Sequence, residues 1–195
     1  MTKKKGTAIL TILLLGLLGC GGLRYSQVAP EAKDFHPQRI AVLPADTTAF
    51  PEAKASIDRV FAEVLAEQKW FTDIVGGEAI GRRLETDAEF RQTVTEYLAK
   101  LQKVSYSDPE LSSRIGALTR TEALLLVQVD YWKYTTEDDT KMGKVGISIT
   151  MIEAKTGKVV WRAAHSRTSE YMIIKPDLPD VARDLIREMI EHMPH

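Results

Sequence analysis

The residue in the most distinctive chemical setting is Cys20, the only cysteine in the chain. It directly follows Leu17-Leu18-Gly19, the end of an uncharged apolar run that begins at residue 7. Residues 3–5, all lysine, precede this run. A basic segment, an apolar segment and a small residue in this order are typical of a secretory signal. With a single thiol the chain can form no internal disulfide, so modification of the thiol is the chemistry that the position favours.

The segment that ends at Cys20 resembles the lipobox of bacterial lipoproteins. This resemblance implies that a diacylglycerol is attached to the Cys20 sulfur and that cleavage leaves Cys20 as the first residue, bound to a membrane through its lipid. It also implies that the sulfur is not available as a nucleophile or a zinc ligand. In bacterial lipoproteins an aspartate after the cysteine favours retention in the inner membrane. That residue is Gly21 here, so the resemblance predicts the outer membrane, facing the periplasm.

Two other interpretations of the first 23 residues stay open. One is a transmembrane helix that is not cleaved, because residues 6–23 carry no charge and roughly 20 apolar residues span a bilayer. The glycines at positions 16, 19, 21 and 22 weaken a helix that ends there. The other is an ordinary secretory signal with a chance cysteine.

No other combination of residues predicts a catalytic site, a metal site or a cofactor. His192 and His195 have i, i+3 spacing, but no third ligand is suggested nearby. Residues 137–139 (Glu-Asp-Asp) lack the glycine and the distal glutamate of a calcium loop. Gly76-Gly77 lacks the spacing of a nucleotide-binding loop. We therefore expect no metal, no cofactor and no enzymatic activity.

Five aromatic residues are the candidate surface for a protein partner. They lie on or beside two predicted neighbouring strands: Tyr131, Trp132, Tyr134, Trp161 and Tyr171. Aromatic side chains are favoured at the centres of interfaces because they bury much area at a small entropic cost. The alternative is that the two tryptophans belong to the core or are packed under the last helix.

Length and composition predict three segments in the 195-residue chain. Residues 1–19 form the signal, residues 20–38 form the lipidated cysteine and a flexible tether, and residues 39–195 form one periplasmic α+β domain. A content of 44% hydrophobic and 27% charged residues excludes a disordered chain. Loss of the signal with its three lysines changes the formal net charge from −1 to −4, which gives no electrostatic reason to expect nucleic acid.

Hydrophobic spacing predicts the first half of the domain. Residues 39–44 are a short apolar run that ends at Pro44 and predicts a buried strand. Pro51 can begin a helix, and one face of that helix carries Ile57, Val60, Phe61, Val64 and Leu65. Residues 71–75 predict a second strand, which this crossover places parallel to the first. Three helical segments follow, over residues 78–85, from Asp87 to Leu101, and from Pro109 onward.

The second half predicts an antiparallel meander and a last helix. Three segments are either continuously apolar or alternate between apolar and polar residues: 123–134, 145–151 and 159–169. A polar turn over residues 135–142 and a tight turn over residues 154–157 join these strands. The last helix presents Ala182, Leu185, Ile186, Met189, Ile190 and Met193 to the core. The expected architecture is an α+β layer with a mixed five-stranded sheet.

This order of elements resembles a domain of several bacterial periplasmic proteins, among them the curli-secretion channel lipoprotein and the outer-membrane lipoprotein that activates peptidoglycan synthase. The matching residues are 39–44, the helix through Phe61 and Leu65, residues 124–129, and residues 155–161 (Lys-Thr-Gly-Lys-Val-Val-Trp). The likeness covers most of residues 39–192. It implies an envelope protein with an α+β domain and no specific activity.

Three functions follow as hypotheses. The first is a lipid-anchored interaction or scaffold module of the outer membrane that binds an envelope protein of unknown identity. The second is an oligomeric component of a secretion channel. The third, a periplasmic cell-wall enzyme, would need paired carboxylates in a cleft or a base beside a nucleophile, and the acidic residues here are scattered over predicted helix faces.

Overall fold

The computed structural model describes residues 25–32, 34–104 and 106–195, which form a mixed β-sheet with helices on both faces. The elements in chain order are β1 (Tyr25–Val28), β2 (Arg39–Val42), α1 (Lys54–Gln68), β3 (Asp73–Val75), α2 (Glu78–Thr86), α3 (Ala88–Val104), α4 (Pro109–Thr119), β4 (Ala123–Glu137), β5 (Thr140–Glu153), β6 (Val159–Glu170) and α5 (Leu178–Ile190).

The strands lie side by side in the order β1-β6-β5-β4-β2-β3. Strand β2 is parallel to both of its neighbours, β3 and β4, whereas β4, β5 and β6 form an antiparallel meander. The predicted α+β class, the parallel first pair and the meander are therefore confirmed. The predicted number of five strands is wrong, because the described residues form a sheet of six.

The additional strand is β1, which lies inside the segment that the sequence predicts as a flexible tether. It pairs antiparallel with β6, from Tyr25 opposite Ala164 to Val28 opposite Trp161. The Trp161 Nε1–H donates a hydrogen bond to Ser26 Oγ at 3.2 Å, which fixes the strand from its side. Four residues that depend on a partner far along the chain give no periodic signal of their own. Residues 25–28 of the predicted tether are therefore part of the sheet, and residues 20–24 lie outside the described residues.

Helices α1 and α5 cover one face of the sheet. All five apolar positions predicted for the face of α1 are buried, and so are the six predicted for the last helix. They pack with β2, β4, β5 and β6 in one core cluster. Outside this core, the Arg187 guanidinium donates to Glu67 Oε2 at 2.8 Å and so connects the two helices at the surface.

Helices α2, α3 and α4 cover the opposite face, but only near β2, β3, the beginning of β4 and the end of β5. Their core includes Phe90 and Tyr97 of α3 against Leu124 and Ile152 of the sheet. Asp108 caps α4 by accepting hydrogen bonds from the backbone N–H groups of Glu110 and Leu111, which is the local reason that this helix begins at Pro109.

The two turns of the meander differ from each other. Asp138 and Asp139 both have positive φ, at 48° and 61°, as a two-residue hairpin turn of the type I′ class requires. The strands therefore continue through most of the predicted polar turn over residues 135–142, because a two-residue turn matches their right-handed twist. In the second turn Gly157 has φ 68°, which confirms the tight turn predicted there.

Candidate functional site

The predicted aromatic surface does not exist as one patch. Trp132 is 5% exposed and Trp161 is 0% exposed, and both belong to the core under α1 and α5. The register of β4 shifts at a bulge between Val129 and Tyr131, so Val129 and Trp132 both face the helices. Burial of a large indole ring is favourable. The prediction that the two tryptophans belong to a partner-binding surface is therefore wrong, because both lie in the core.

Tyr131 lies on the opposite face of the sheet because of the same bulge. Its ring covers Gly146 of β5, where an added Cβ would collide with the ring. The ammonium groups of Lys133 and Lys144 lie 5.8 and 5.1 Å from the centre of the ring, in the range of cation–π contacts. Tyr131 is thus a partly exposed aromatic residue with two lysine ammonium groups close to its ring. It lies apart from the two tryptophans.

All five predicted aromatic residues lie in the described part of the chain. Among these five, only Tyr134 and Tyr171 have rings that contact each other. Their rings meet edge to face with centroids 6.0 Å apart. The Tyr134 hydroxyl donates to the backbone oxygen of Pro176 at 2.8 Å, and Lys175 Nζ lies 4.7 Å from the centre of the Tyr134 ring. These contacts hold the loop between β6 and α5 against the meander. A role in partner binding stays a prediction for this pair.

Much of the meander has one face that no helix in the described part of the chain covers. The side chains along it are small or polar, and they are half-buried or exposed: Gln128, Asp130, Ser148, Thr150, Arg162, Ala164 and Ser166. Ser148 Oγ donates to Asp130 Oδ2 at 2.6 Å, which links β5 to β4 across this surface. We name these seven residues the uncovered face. Antiparallel sheets commonly leave one face to solvent, and small side chains allow another molecule to approach the strands closely.

A groove of about 600 Å³ lies where the uncovered face meets α3. Leu98 and Leu101 of α3 form one wall, the loop from Pro44 to Thr48 forms the other, and Leu126 and Val159 lie in the floor. Gln128, Ser148, Thr150 and Arg162 line both this groove and the uncovered face. The groove is therefore continuous with the uncovered face and combines apolar walls with polar floor residues.

Asp46 is the carboxylate at the rim of the groove, and it is held in its ionised form. The Thr48 hydroxyl donates to Asp46 Oδ1 at 2.7 Å, and the Thr48 backbone N–H donates to the same oxygen at 3.0 Å. Gln102 Nε2 donates to Oδ2 at 3.2 Å. The bonds from Thr48, more than the weaker bond from Gln102, hold the pKa of Asp46 below its ordinary value. A carboxylate of this kind is a poor proton donor at neutral pH.

Two groups have pKa values that are raised chiefly by burial, and both have structural surroundings. Burial raises the pKa of Asp58, whose Oδ1 accepts the backbone N–H of Ala45 at 2.9 Å. Burial also raises the pKa of Tyr97 to about 12, and its hydroxyl lies 2.9 Å from Ser107 Oγ. Within the described ranges, no three histidine, cysteine, aspartate or glutamate side chains are grouped so that they could hold a metal ion.

A second exposed feature is the loop between β6 and α5, whose apolar residues sequence reasoning missed. Met172, Ile173 and Ile174 are 90%, 91% and 85% exposed. The next most exposed large apolar side chain in the described part of the chain, Tyr106, is 55% exposed. The signal in the sequence is three consecutive large apolar residues in a segment without helix or strand pattern. We call Met172, Ile173 and Ile174 the apolar loop.

Cys20, the predicted site of lipidation, lies outside the described residues, and so does the predicted signal. In the ranges that the structure covers, the helices are too short or too polar to cross a membrane.

No protein-family model and no curated protein sequence matches the chain. The fold nevertheless belongs to a class seen in solved structures of bacterial proteins. A PelC dodecamer from Paraburkholderia phytofirmans shares 19% identity with this chain, covers 87% of it and 95% of the PelC chain, and has a TM-score of 0.53. The lipoprotein GNA1162 from Neisseria meningitidis shares 13% identity, covers 77% of this chain and 95% of its own, and also has a TM-score of 0.53. At these identities the likeness shows the fold.

Proposed function

We propose that this chain is a lipid-anchored, non-enzymatic scaffold of the bacterial outer membrane, facing the periplasm. In this proposal the uncovered face binds a neighbouring envelope protein, and the first candidate partner is a second copy of the chain. The observation that carries the proposal is the coverage of the sheet, because the helices of the described residues cover one face of the meander and leave much of the other face exposed.

The chemistry of the uncovered face supports binding. Its small side chains, such as Ser148, Ala164 and Ser166, would let a partner approach the strands, while the groove beside Leu98 and Leu101 offers apolar area to bury. Interfaces combine an apolar centre with a polar rim. The single carboxylate at the rim of the groove, Asp46, is held ionised by Thr48, so it is suited to fixed hydrogen bonds and not to proton transfer.

Self-association has support from the fold. One solved structure with this fold is a dodecamer, and another is described as a lipoprotein. The sheet also ends in two unlike edges, β1 and β3. A contact between two different surfaces of identical subunits produces rings when the rotation closes. The resemblance to the curli-secretion channel lipoprotein agrees with an oligomeric secretion component, which is the more specific version of this proposal.

The test is the mass of the mature, lipidated protein in mild detergent, measured by light scattering after size exclusion. Gln128→Arg and Ser166→Arg each place a long cation on the uncovered face. Gln92→Arg makes the same change as the first variant on the exposed side of α3 and is the matched control. We expect an oligomer for wild type and for Gln92→Arg, and smaller particles for the other two variants.

Two results would contradict this assignment. An oligomer that is unchanged by both variants would mean that copies associate through another surface. A monomeric wild type that also yields no crosslinked partner in intact cells would remove the scaffold proposal as a whole. A crosslinked partner other than a second copy, lost in the Gln128→Arg protein and kept in Gln92→Arg, would retain the surface and replace the first candidate partner.

A further inference from the structure

The apolar loop exposes more apolar surface than a loop in water should. Met172, Ile173 and Ile174 are consecutive and each is at least 85% exposed, although isoleucine and methionine are among the residues most often buried. A contiguous apolar surface of this kind marks contact with a protein or a membrane. We propose that the apolar loop inserts into the interfacial layer of the same bilayer that holds the lipid anchor.

The residues behind the apolar loop suit a lipid surface. Tyr134 and Tyr171 meet edge to face at its base, and tyrosine is enriched where protein crosses the boundary between lipid and water. Lys175 lies over the Tyr134 ring, and Lys141 lines the same recess as Met172. Ammonium groups at this level can contact anionic headgroups while the apolar side chains enter the layer beneath.

Acidic residues nearby limit the depth of insertion. Asp138 and Asp139 form the turn of the β4–β5 hairpin, which continues beyond the row where Met142 pairs with Glu170. Carboxylates are costly to place in hydrocarbon. The loop would therefore enter no deeper than the boundary of headgroups and acyl chains, and the hairpin turn, which projects toward the same end of the meander, would lie among the headgroups.

The length of chain before β1 places the anchor within reach of the same surface. Cys20 is five residues before Tyr25, so their Cα atoms are at most about 18 Å apart. Tyr25 pairs with Ala164, six residues before Glu170 at the end of β6, which is about 20 Å along the strand. A bilayer that holds the Cys20 lipid is then close enough for the apolar loop to touch. This inference rests on the proposed lipid anchor.

The experiment depends on the fact that Cys20 is the only cysteine in the chain. In the full lipidated chain Cys20 carries lipid, so Ile173→Cys adds the single thiol that can be labelled with the environment-sensitive fluorophore NBD. Lys155→Cys, in the turn between β5 and β6 at the opposite end of the meander, is the matched control. Both proteins are reconstituted in vesicles of phosphatidylethanolamine and phosphatidylglycerol, with and without bromine on the acyl chains.

We expect a blue-shifted NBD emission that brominated lipid quenches at position 173, and an unquenched, water-like emission at position 155. Adding Met172→Asp and Ile174→Asp to the Ile173→Cys protein should abolish the quenching. Equal emission at the two positions would overturn the proposal. Shielding at position 173 that appears only in native membranes, and not in pure lipid vesicles, would also overturn it and indicate a protein partner. The intact mass of each protein reports the Cys20 lipid separately, so a missing anchor is distinguished from a loop that does not insert.

Discussion

The Asp58 carboxylate of α1 accepts a hydrogen bond from the backbone N–H of Ala45, with the two atoms 2.9 Å apart. This bond ties the helix to the loop that forms one wall of the groove. Because Ala45 lies next to Asp46, the position of the rim carboxylate depends on a residue 12 positions further along the chain. The loop is therefore held from both sides, by Asp58 beneath it and by Gln102 across the groove.

Two replacements of Asp58 distinguish the contribution of its hydrogen bond to stability from the contribution of its charge. Asp58→Ala leaves the Ala45 N–H without its acceptor and should lower the free energy of unfolding by about 1–3 kcal/mol. Asp58→Asn keeps an oxygen that can accept the bond and removes the buried charge, so it should be at least as stable as wild type at pH 7. Urea denaturation of both variants measures the difference. An Asn variant as unstable as the Ala variant would mean that the charge itself is required.

The same pair predicts a dependence on pH. Burial raises the pKa of Asp58 above its ordinary value of 3.8, so the folded state binds this proton more tightly than the unfolded state. The contribution of Asp58 to stability is therefore greatest below pH 3.8 and falls as the pH rises through the raised pKa. Any advantage of Asp58→Asn over wild type should shrink as the pH is lowered through that window. A difference that does not change with pH would contradict this assignment.

Phe61 tests the core between α1 and the sheet. Its side chain is 0% exposed, and Phe61→Ala should cost roughly 3–5 kcal/mol because it removes a buried ring and leaves a cavity. Arg59→Ala on the exposed side of the same helix should change stability by less than about 0.5 kcal/mol. Chemical denaturation of the two variants provides the comparison, and equal effects would contradict the burial of Phe61.

Two glycines should respond in opposite directions to alanine. Gly157 has φ 68°, and an added Cβ would lie 2.9 Å from the Cα of Pro109, so Gly157→Ala should destabilise the domain by at least about 1 kcal/mol. Gly81 lies inside α2, and apart from its chain neighbours and the backbone of its own helix no atom lies within 4 Å of an added Cβ. Gly81→Ala should therefore stabilise the protein by up to about 1 kcal/mol. Melting temperatures that move in the same direction for both would contradict this account.

Cys20 provides the test of the anchor. Cys20→Ser removes the sulfur that would carry the lipid, so lipidation and cleavage of the signal should fail together. Wild type should partition into the detergent phase at its mature mass, and the variant should keep its signal and its full mass. A mature, soluble product of the same size from both proteins would contradict the lipoprotein interpretation.

The sequence predicts elements that carry their own periodicity and misses those that depend on distant partners. The apolar stripe of α1, from Ile57 to Leu65, is buried as its spacing predicts. Strand β1 is missed because Tyr25–Val28 becomes a strand only beside β6. A four-residue segment with two polar positions has no hydrophobic pattern that would distinguish it from a tether.

The candidate site is less predictable than the fold for a geometric reason. Trp132 and Tyr131 are neighbours in the sequence, and which of them faces the helices depends on the bulge after Val129, because one extra residue exchanges the two faces of a strand. The exposure of Met172, Ile173 and Ile174 likewise depends on where the loop leaves the sheet. Residue types alone identify these side chains as apolar, and tertiary structure decides whether water or protein surrounds them.

The antiparallel pairing of β1 with β6 has a mechanical consequence. A protein held by a lipid at Cys20 and pulled by its partner experiences tension that enters the domain at Tyr25. A pull directed along β1 would load the hydrogen bonds between Tyr25–Val28 and β6 in shear, so that these bonds would share the load. They would not open one after another, as they would if the strand were peeled from the sheet. With the proposed lipid anchor, the edge strand would transmit the load from the membrane to the folded core.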